Sequence, residues 1–368
     1  MTRVISLGTA RRWVSKIGSA LFPYWLLFVL WSVGAVQAQR RHERDPRGLF
    51  FVVAVCTTIL MIGLRFEVGG DWGSYERIYN DIFFLSLPTA LKTTDAGYAL
   101  LNWLGAQTGL GIGLVNVCCA ALFMGGFAKL AWRQPNPFLA VLVAAPYLII
   151  VVAMGYTRQA AAIGVICFAL ADASERHLIR MVMLIGIAAL FHKTAILILP
   201  IALIPIFRRS VLLGSLGAML FAFLFVLFLR DTSDTLVTNY VQSTYDSQGA
   251  AIRVAMNVVA AVLFLLLRKR IDMPSFQKSY WTTCAVLAIV SMFALATTSA
   301  SSGVDRISLY LIPLQAVFYS RLPYLLGERG RAVPSILIGV IAYSFLVQFV
   351  WLNFADNANY WIPFTILI

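Results

Sequence analysis

The chain has 368 residues, is 60% hydrophobic and only 12% charged, and has a mean hydropathy of +0.83, which excludes a soluble domain. A hydrocarbon core of ~30 Å takes about 20 apolar residues per helix, and runs of that kind recur from end to end. The net charge of +13 is accounted for without nucleic acid, because Lys and Arg gather in the short loops on one side of a membrane protein.

The apolar runs lack the alternation of a barrel, so the expected fold class is all-α: a polytopic integral membrane helical bundle. Spans are predicted at 20–38, 49–64, 110–131, 137–153, 156–172, 179–191, 194–207, 210–229, 251–267, 280–299, 306–320 and 334–352, about twelve in all. The stretch AGYALLNWLGAQT (96–108) is too short to span and is expected to be re-entrant or interfacial. The whole of 1–368 then forms one transmembrane domain. It includes a basic interfacial segment (1–19), a motif loop with interfacial helices (65–109), a second loop (230–249) and a tail (353–368).

Basic residues in RRHERDPR (40–47), at Lys129, Arg133, Arg176, Arg180, Arg208 and Arg209, in RKR (268–270), and at Lys278, Arg321, Arg329 and Arg331 make up more than half of the 29 Lys and Arg. Their side is expected to be cytoplasmic. Arg3, Arg11, Arg12 and Lys16 would then be translocated, on an interfacial helix or within a signal peptide ending AVQA. Cleavage there would break the downstream pattern, so the first span is read as retained. Cys56, Cys118, Cys119, Cys167 and Cys284 lie within apolar spans without metal-type spacing, and neither a metal nor a disulfide is expected.

Charge on the opposite side is not explained by topology, and it falls in four places. In GLRFEVGGDWGSYERIYND (63–81), Arg65 ends the second span and Gly69-Gly70 permits a tight turn. If 71–82 is helical, Asp71, Tyr75 and Tyr79 share one face. Asp71 also reads as a helix cap, and Glu67 lies four residues before it. In GYTRQ (155–159), Arg158 opens a span beside Gln159 and reads as a ligand-binding or a snorkelling arginine. FHKTA (191–195) sets His192 and Lys193 between two short half-spans, which marks either an intramembrane site or a polar loop tip. In SSGVDRISLY (301–310), Asp305 and Arg306 begin a span one turn above Tyr310, as a site or as a self-contained pair. Arginines on one face suit an anionic ligand, since guanidinium matches phosphate oxygens bidentately. Carboxylates and a histidine among them supply general-base capacity.

These motifs, taken together, resemble the EpsG-like proteins, which belong with the Wzy-type polysaccharide polymerases. GLRFEVGGDWGSYERIY is similar to their R-x-x-x-G-x-D-x-x-x-Y signature, GYTRQAAAIGVICFAL to their R-Q-x-x-A helix, FHKTAILILP to F-H-x-[ST]-A and DRISLYLIP to R-x-x-x-Y. NANYWIPF resembles their aromatic-Pro ending. The resemblance implies a membrane glycosyltransferase that joins oligosaccharide units carried on undecaprenyl pyrophosphate, as donor and acceptor, at the extracytoplasmic face of the bacterial inner membrane. It implies no cofactor and no metal, and a chain-length regulator and a flippase as neighbours. Its motif residues are Arg65, Gly69, Asp71, Tyr75, Arg158, Gln159, His192 and Arg306. Gly70, where many members carry a hydroxyl residue, and Lys193, an added charge, depart from the pattern.

Chemically, Arg158 and Arg306, then Arg65, are the expected clamp on the pyrophosphate, with Asp71, then His192, then Glu67, as the base. Gly69, Gly70, Tyr75, Gln159, Lys193, Asp305 and Tyr310 complete the expected substrate-binding set. Rival readings are an O-antigen ligase, which uses the same donor, and a lipid-linked oligosaccharide flippase. A flippase would spread charge through the midplane and show repeat symmetry, neither of which the sequence displays.

Overall fold

The computed structural model describes residues 7–38, 47–207, 212, 214–220, 222–223, 249–297, 301–327 and 331–367. Among them there is no β-strand, only an isolated bridge between Arg65 and Ile366. The helices are α1 (Leu7–Gln37), α2 (Arg47–Gly63), α3 (Trp72–Ile82), α4 (Ala96–Thr108), α5 (Gly111–Trp132), α6 (Pro137–Ala144) and α7 (Thr157–Ala171). They continue as α8 (Leu178–Phe191), α9 (Ile198–Phe207), α10 (Ala250–Leu267), α11 (Ser275–Thr297), α12 (Ser301–Ser308), α13 (Pro313–Tyr319) and α14 (Pro334–Phe354).

The all-α membrane class stands, and the described residues do not confirm the count of twelve spans. Helices α5, α10, α11 and α14 are long and apolar enough to cross a membrane, and 21–37, 48–63, 137–153, 157–171 and 193–207 are shorter apolar helices. Half of the predicted segment 210–229 lies outside the described residues, as does the loop 230–249 except Gly249. Helix α1 runs unbroken from Leu7 through Pro23 to Gln37.

The predicted span 306–320 is broken, and the reason is local. Pro313 has no N–H to offer the Leu309 carbonyl. The chain tightens into a 3₁₀ turn at Leu309–Leu311, where the Ile312 N–H donates to the Leu309 carbonyl instead. That leaves the Ser308 carbonyl for Asn257, whose Nδ2 donates to it at 3.1 Å. Gln315 Nε2 donates to Asn257 Oδ1 (2.7 Å) and the Tyr343 hydroxyl to Gln315 Oε1 (3.3 Å), so a buried polar chain from three helices braces the break.

The core centres on α7 and the run 137–153, where nearly every side chain is buried, and on the inward half of α5. Without water to drive them together, apolar helices in lipid gain by close backbone approach at small residues. Gly126 of α5 and Gly164 of α7 do this: a Cβ on Gly126 would lie 1.8 Å from the Gly164 carbonyl oxygen. This crossing fixes the axis of α7, whose first residues carry the site and whose last residues meet the basic loops.

Those basic loops converge at one end. Asp172, just past α7, receives Lys129 (2.6 Å) and Arg133 (2.6 Å), with Arg180 at 3.9 Å. Arg321 donates to Gln134 Oε1 and to the Asp272 carbonyl, joining two further loops to the same end. Arg158 stands at the other end of α7, which at 1.5 Å per residue is about 20 Å away.

Candidate active site

The loop after α2 folds back on itself because Arg65 has no solvent to reach. Its side chain is 0% exposed, and its guanidinium donates to the carbonyls of Ile62 (2.5 Å), Val68 (3.2 Å) and Met154 (3.0 Å) and to Thr157 Oγ1 (2.7 Å). A charge buried this deeply persists only when its donors are satisfied. Arg65 thus ties residues 62–68 to the 154–157 turn rather than facing outward. Gly69 completes the junction at φ +112°, where a Cβ would meet the Met154 oxygen at 2.2 Å. Gly70 is exposed beside the Trp361 ring.

The tail seals this junction from outside. Phe66 N–H donates to the Thr365 carbonyl (2.9 Å), Leu367 N–H to that of Leu64 (2.7 Å), and Gly69 N–H to that of Tyr360 (2.8 Å). Trp361 is buried, donates to the Ile150 carbonyl (2.9 Å), and packs on Gly155, where a Cβ would lie 2.5 Å from its ring. Its own carbonyl accepts the Tyr24 hydroxyl at 2.6 Å.

Helix α3 then starts with Asp71 at its N-cap, yet the carboxylate makes no capping hydrogen bond. It lies 3.7 Å from the Arg306 guanidinium of α12. Burial raises the Asp71 pKa, and the positive charges of Arg306 and Arg158 pull against it. Arg306 stacks over the Tyr156 ring at 4.4 Å, and its carbonyl accepts from Gln159 Nε2 at 2.6 Å. Asp305, its sequence neighbour, takes a bidentate grip from Arg253 of α10, at 2.8 and 2.6 Å.

Arg158 does not snorkel. Its guanidinium donates to Thr94 Oγ1 and Asp95 Oδ2, both at 2.9 Å, and lies about 6 Å from the Tyr75 and Tyr98 rings. Asp95 is the hub here. Its side chain is 6% exposed; Oδ1 accepts the Lys193 N–H at 3.3 Å, and Oδ2 lies 3.9 Å from His192 Nδ1. Burial lowers the His192 pKa, against the raising effect of Asp95, so the ring is neutral at pH 7. The Thr194 and Tyr310 hydroxyls meet at 2.8 Å and link this corner to the chain below Arg306. Arg158 Nε, Gln159 Oε1 and His192 Nδ1 are buried polar atoms without a hydrogen-bond partner among the described residues, which is uncommon in a finished interior.

The structure therefore brings Asp71, Tyr75, Arg158, Gln159, His192, Arg306 and Tyr310 into one cluster, with the exposed Lys193 at its edge. It places Arg65 behind that cluster and Asp305 against Arg253. Glu67 is exposed, in left-handed backbone (φ +53°), and makes no ion pair with the described residues. Sequence reading missed Asp95, Thr94, Tyr156 and Arg253. Arg253 carried a signal, since it opens a span on the same side as Arg158. Asp95 carried none beyond the look of a helix start.

Fold and cluster together define the class: an integral membrane protein of α-helices with a cationic, carboxylate-bearing cluster at one end of an apolar bundle. Residues 48–366 match the EpsG family, and the chain belongs to that family of polysaccharide polymerases, as its motifs indicated. No curated protein and no solved structure matches it.

Proposed function

We propose that this protein is a glycosyltransferase that polymerises oligosaccharide repeat units carried on undecaprenyl pyrophosphate, at the extracytoplasmic face of the inner membrane. The observation that carries the reading is the meeting of Arg158 and Arg306, from two separate helices, with Asp71 and His192 in an EpsG-family chain. The face is inferred from the basic loops gathered around Asp172 at the opposite end.

In the proposed reaction a hydroxyl of the acceptor unit attacks the anomeric carbon of the donor. The new C–O bond forms as the bond to pyrophosphate breaks, and its electron pair leaves on the phosphate oxygen. Arg158 and Arg306 stabilise that developing charge, with Lys193 within reach of the outer phosphate. Asp71 takes the hydroxyl proton; its pKa, raised by burial, makes it a stronger base than an ordinary carboxylate. Neutral His192, held near Asp95, is the second candidate for that proton. Arg65, Gly69 and Gly70 shape the turn that presents Asp71, Gln159 holds the backbone of Arg306, and Asp305 anchors α12 through Arg253. Tyr75 and Tyr310 line the cluster from below. No step calls for a metal.

The test is made in proteoliposomes with the lipid-linked repeat unit and a chelator present. A ladder of polymer lengths from wild type, absent in correctly inserted Arg158→Ala and Asp71→Asn, is the expected result. Transfer of the intact unit across the bilayer without polymer would replace this reading with a flippase. Transfer only to a non-repeat acceptor would replace it with a ligase.

A further inference from the structure

An apolar cavity of about 840 Å³ lies between α9, residues 214–218, α11 and α12, and nothing in the proposed reaction yet uses it. Its upper wall is made of the elements that carry the cluster. Leu197 closes the turn that follows His192 and Lys193, Val304 and Ile307 flank Asp305 and Arg306, and Tyr310 shares its hydroxyl with Thr194. Its far wall is one stripe of α11 from Thr283 to Ala294, residues recurring at three- and four-residue spacing. Over eleven residues at 1.5 Å each, that stripe is about 16 Å long, roughly half the hydrocarbon core.

We infer that this cavity holds the pyrophosphate-proximal isoprene units of the donor's polyprenyl chain. The inference rests on the proposed function for the identity of the headgroup, and on the continuity of cavity and cluster for the rest. A pyrophosphate gripped by Arg158 and Arg306 puts its first prenyl carbons beside Ile307 and Tyr310, at the mouth of an aliphatic channel. Burying the chain there gives binding energy from a part of the donor remote from the bond that breaks, and fixes the pyrophosphate in line for attack. Helix α11 runs from the basic end at Lys278 to Thr297 beside α12, so Leu287 and Ser291 lie deeper than Ala294.

The experiment measures binding of undecaprenyl pyrophosphate, without sugar, to the purified full chain in nanodiscs. It compares wild type, Leu287→Trp and Ser291→Trp within the cavity, and Val286→Trp on the exposed side of α11. Filling the channel is expected to weaken binding about tenfold, since losing burial of even two methylenes has that effect. Val286→Trp is expected to bind as wild type, and inorganic pyrophosphate, which carries no chain, is expected to bind all four proteins alike. Unchanged long-chain binding in both cavity variants, with thermal unfolding also unchanged, overturns the inference. Equal displacement of the prenyl ligand by phosphatidylglycerol also overturns it, because the channel would then be a general acyl groove. Long-chain binding that depends on the cavity, in a protein that forms no polymer, supports the inference and removes the proposed reaction.

Discussion

Asp71 is held between burial, which raises its pKa, and Arg306 and Arg158, which lower it. As a base it must be deprotonated, so activity falls as pH drops through its folded-state pKa, above the ordinary 3.8. Removing Arg306 takes away a lowering charge. The acid limb of the kcat/KM profile is therefore expected to move to higher pH in Arg306→Gln, along with a rate loss of about 10²–10³. A limb that stays in place contradicts Asp71 as the base. Asp95 gives an independent check, because its charge raises the His192 pKa against burial. Asp95→Asn is expected to lower that pKa further, read by NMR titration of the three histidines, and a rise would contradict the placement. The motif residues were legible because a charge where topology gives no reason for one stands out. Asp95 was not, because its meaning lies in Arg158, 63 residues away, and in the Lys193 backbone.

At the scale of elements, the tail and the two loops it covers behave as one unit. Trp361 fills the space over Gly155 and Gly70, and its removal leaves a cavity at the junction that also holds Arg65. Trp361→Ala is expected to cost about 3–5 kcal/mol, seen as a lower Tm in detergent and as lost activity, although Trp361 lies outside the cluster. Gly69→Ala is expected to be as damaging, through both its positive φ and the Met154 oxygen. Wild-type stability in both variants would show that the tail does not hold the loop. The sequence signalled a turn at Gly69-Gly70 and an aromatic tail, but not that they touch. The helix break was harder still: Pro313 sits inside an unbroken apolar run, and hydropathy does not register a lost N–H.

At the scale of the molecule, two polar ends are separated by the length of α7. One is a salt-bridge knot around Asp172, the other the Asp71–Arg306 and Asp95–Arg158 cluster. The knot sets a carboxylate at a helix C-terminus, which the helix dipole disfavours, so its partners must outweigh that cost. Asp172→Asn is expected to lower Tm while leaving the KM for donor unchanged, because Lys129, Arg133 and Arg180 are left facing one another. The proposed orientation is read from single cysteines at Glu67→Cys and Arg133→Cys, expected to label from the periplasm and the cytoplasm respectively; the reverse would invert the topology. Composition alone announced the all-helical membrane class. It did not announce the number of crossings, because short, interrupted helices and long ones share the same hydropathy.

The most direct measurement is the release of lipid pyrophosphate per glycosidic bond formed, followed in nanodiscs for wild type, Arg158→Gln and Arg306→Gln. One pyrophosphate carrier released per bond, with each variant slowed about 10²–10³-fold while still folded and inserted, is the result expected of an arginine clamp on the leaving group. Bond formation at wild-type rate in both variants would contradict it.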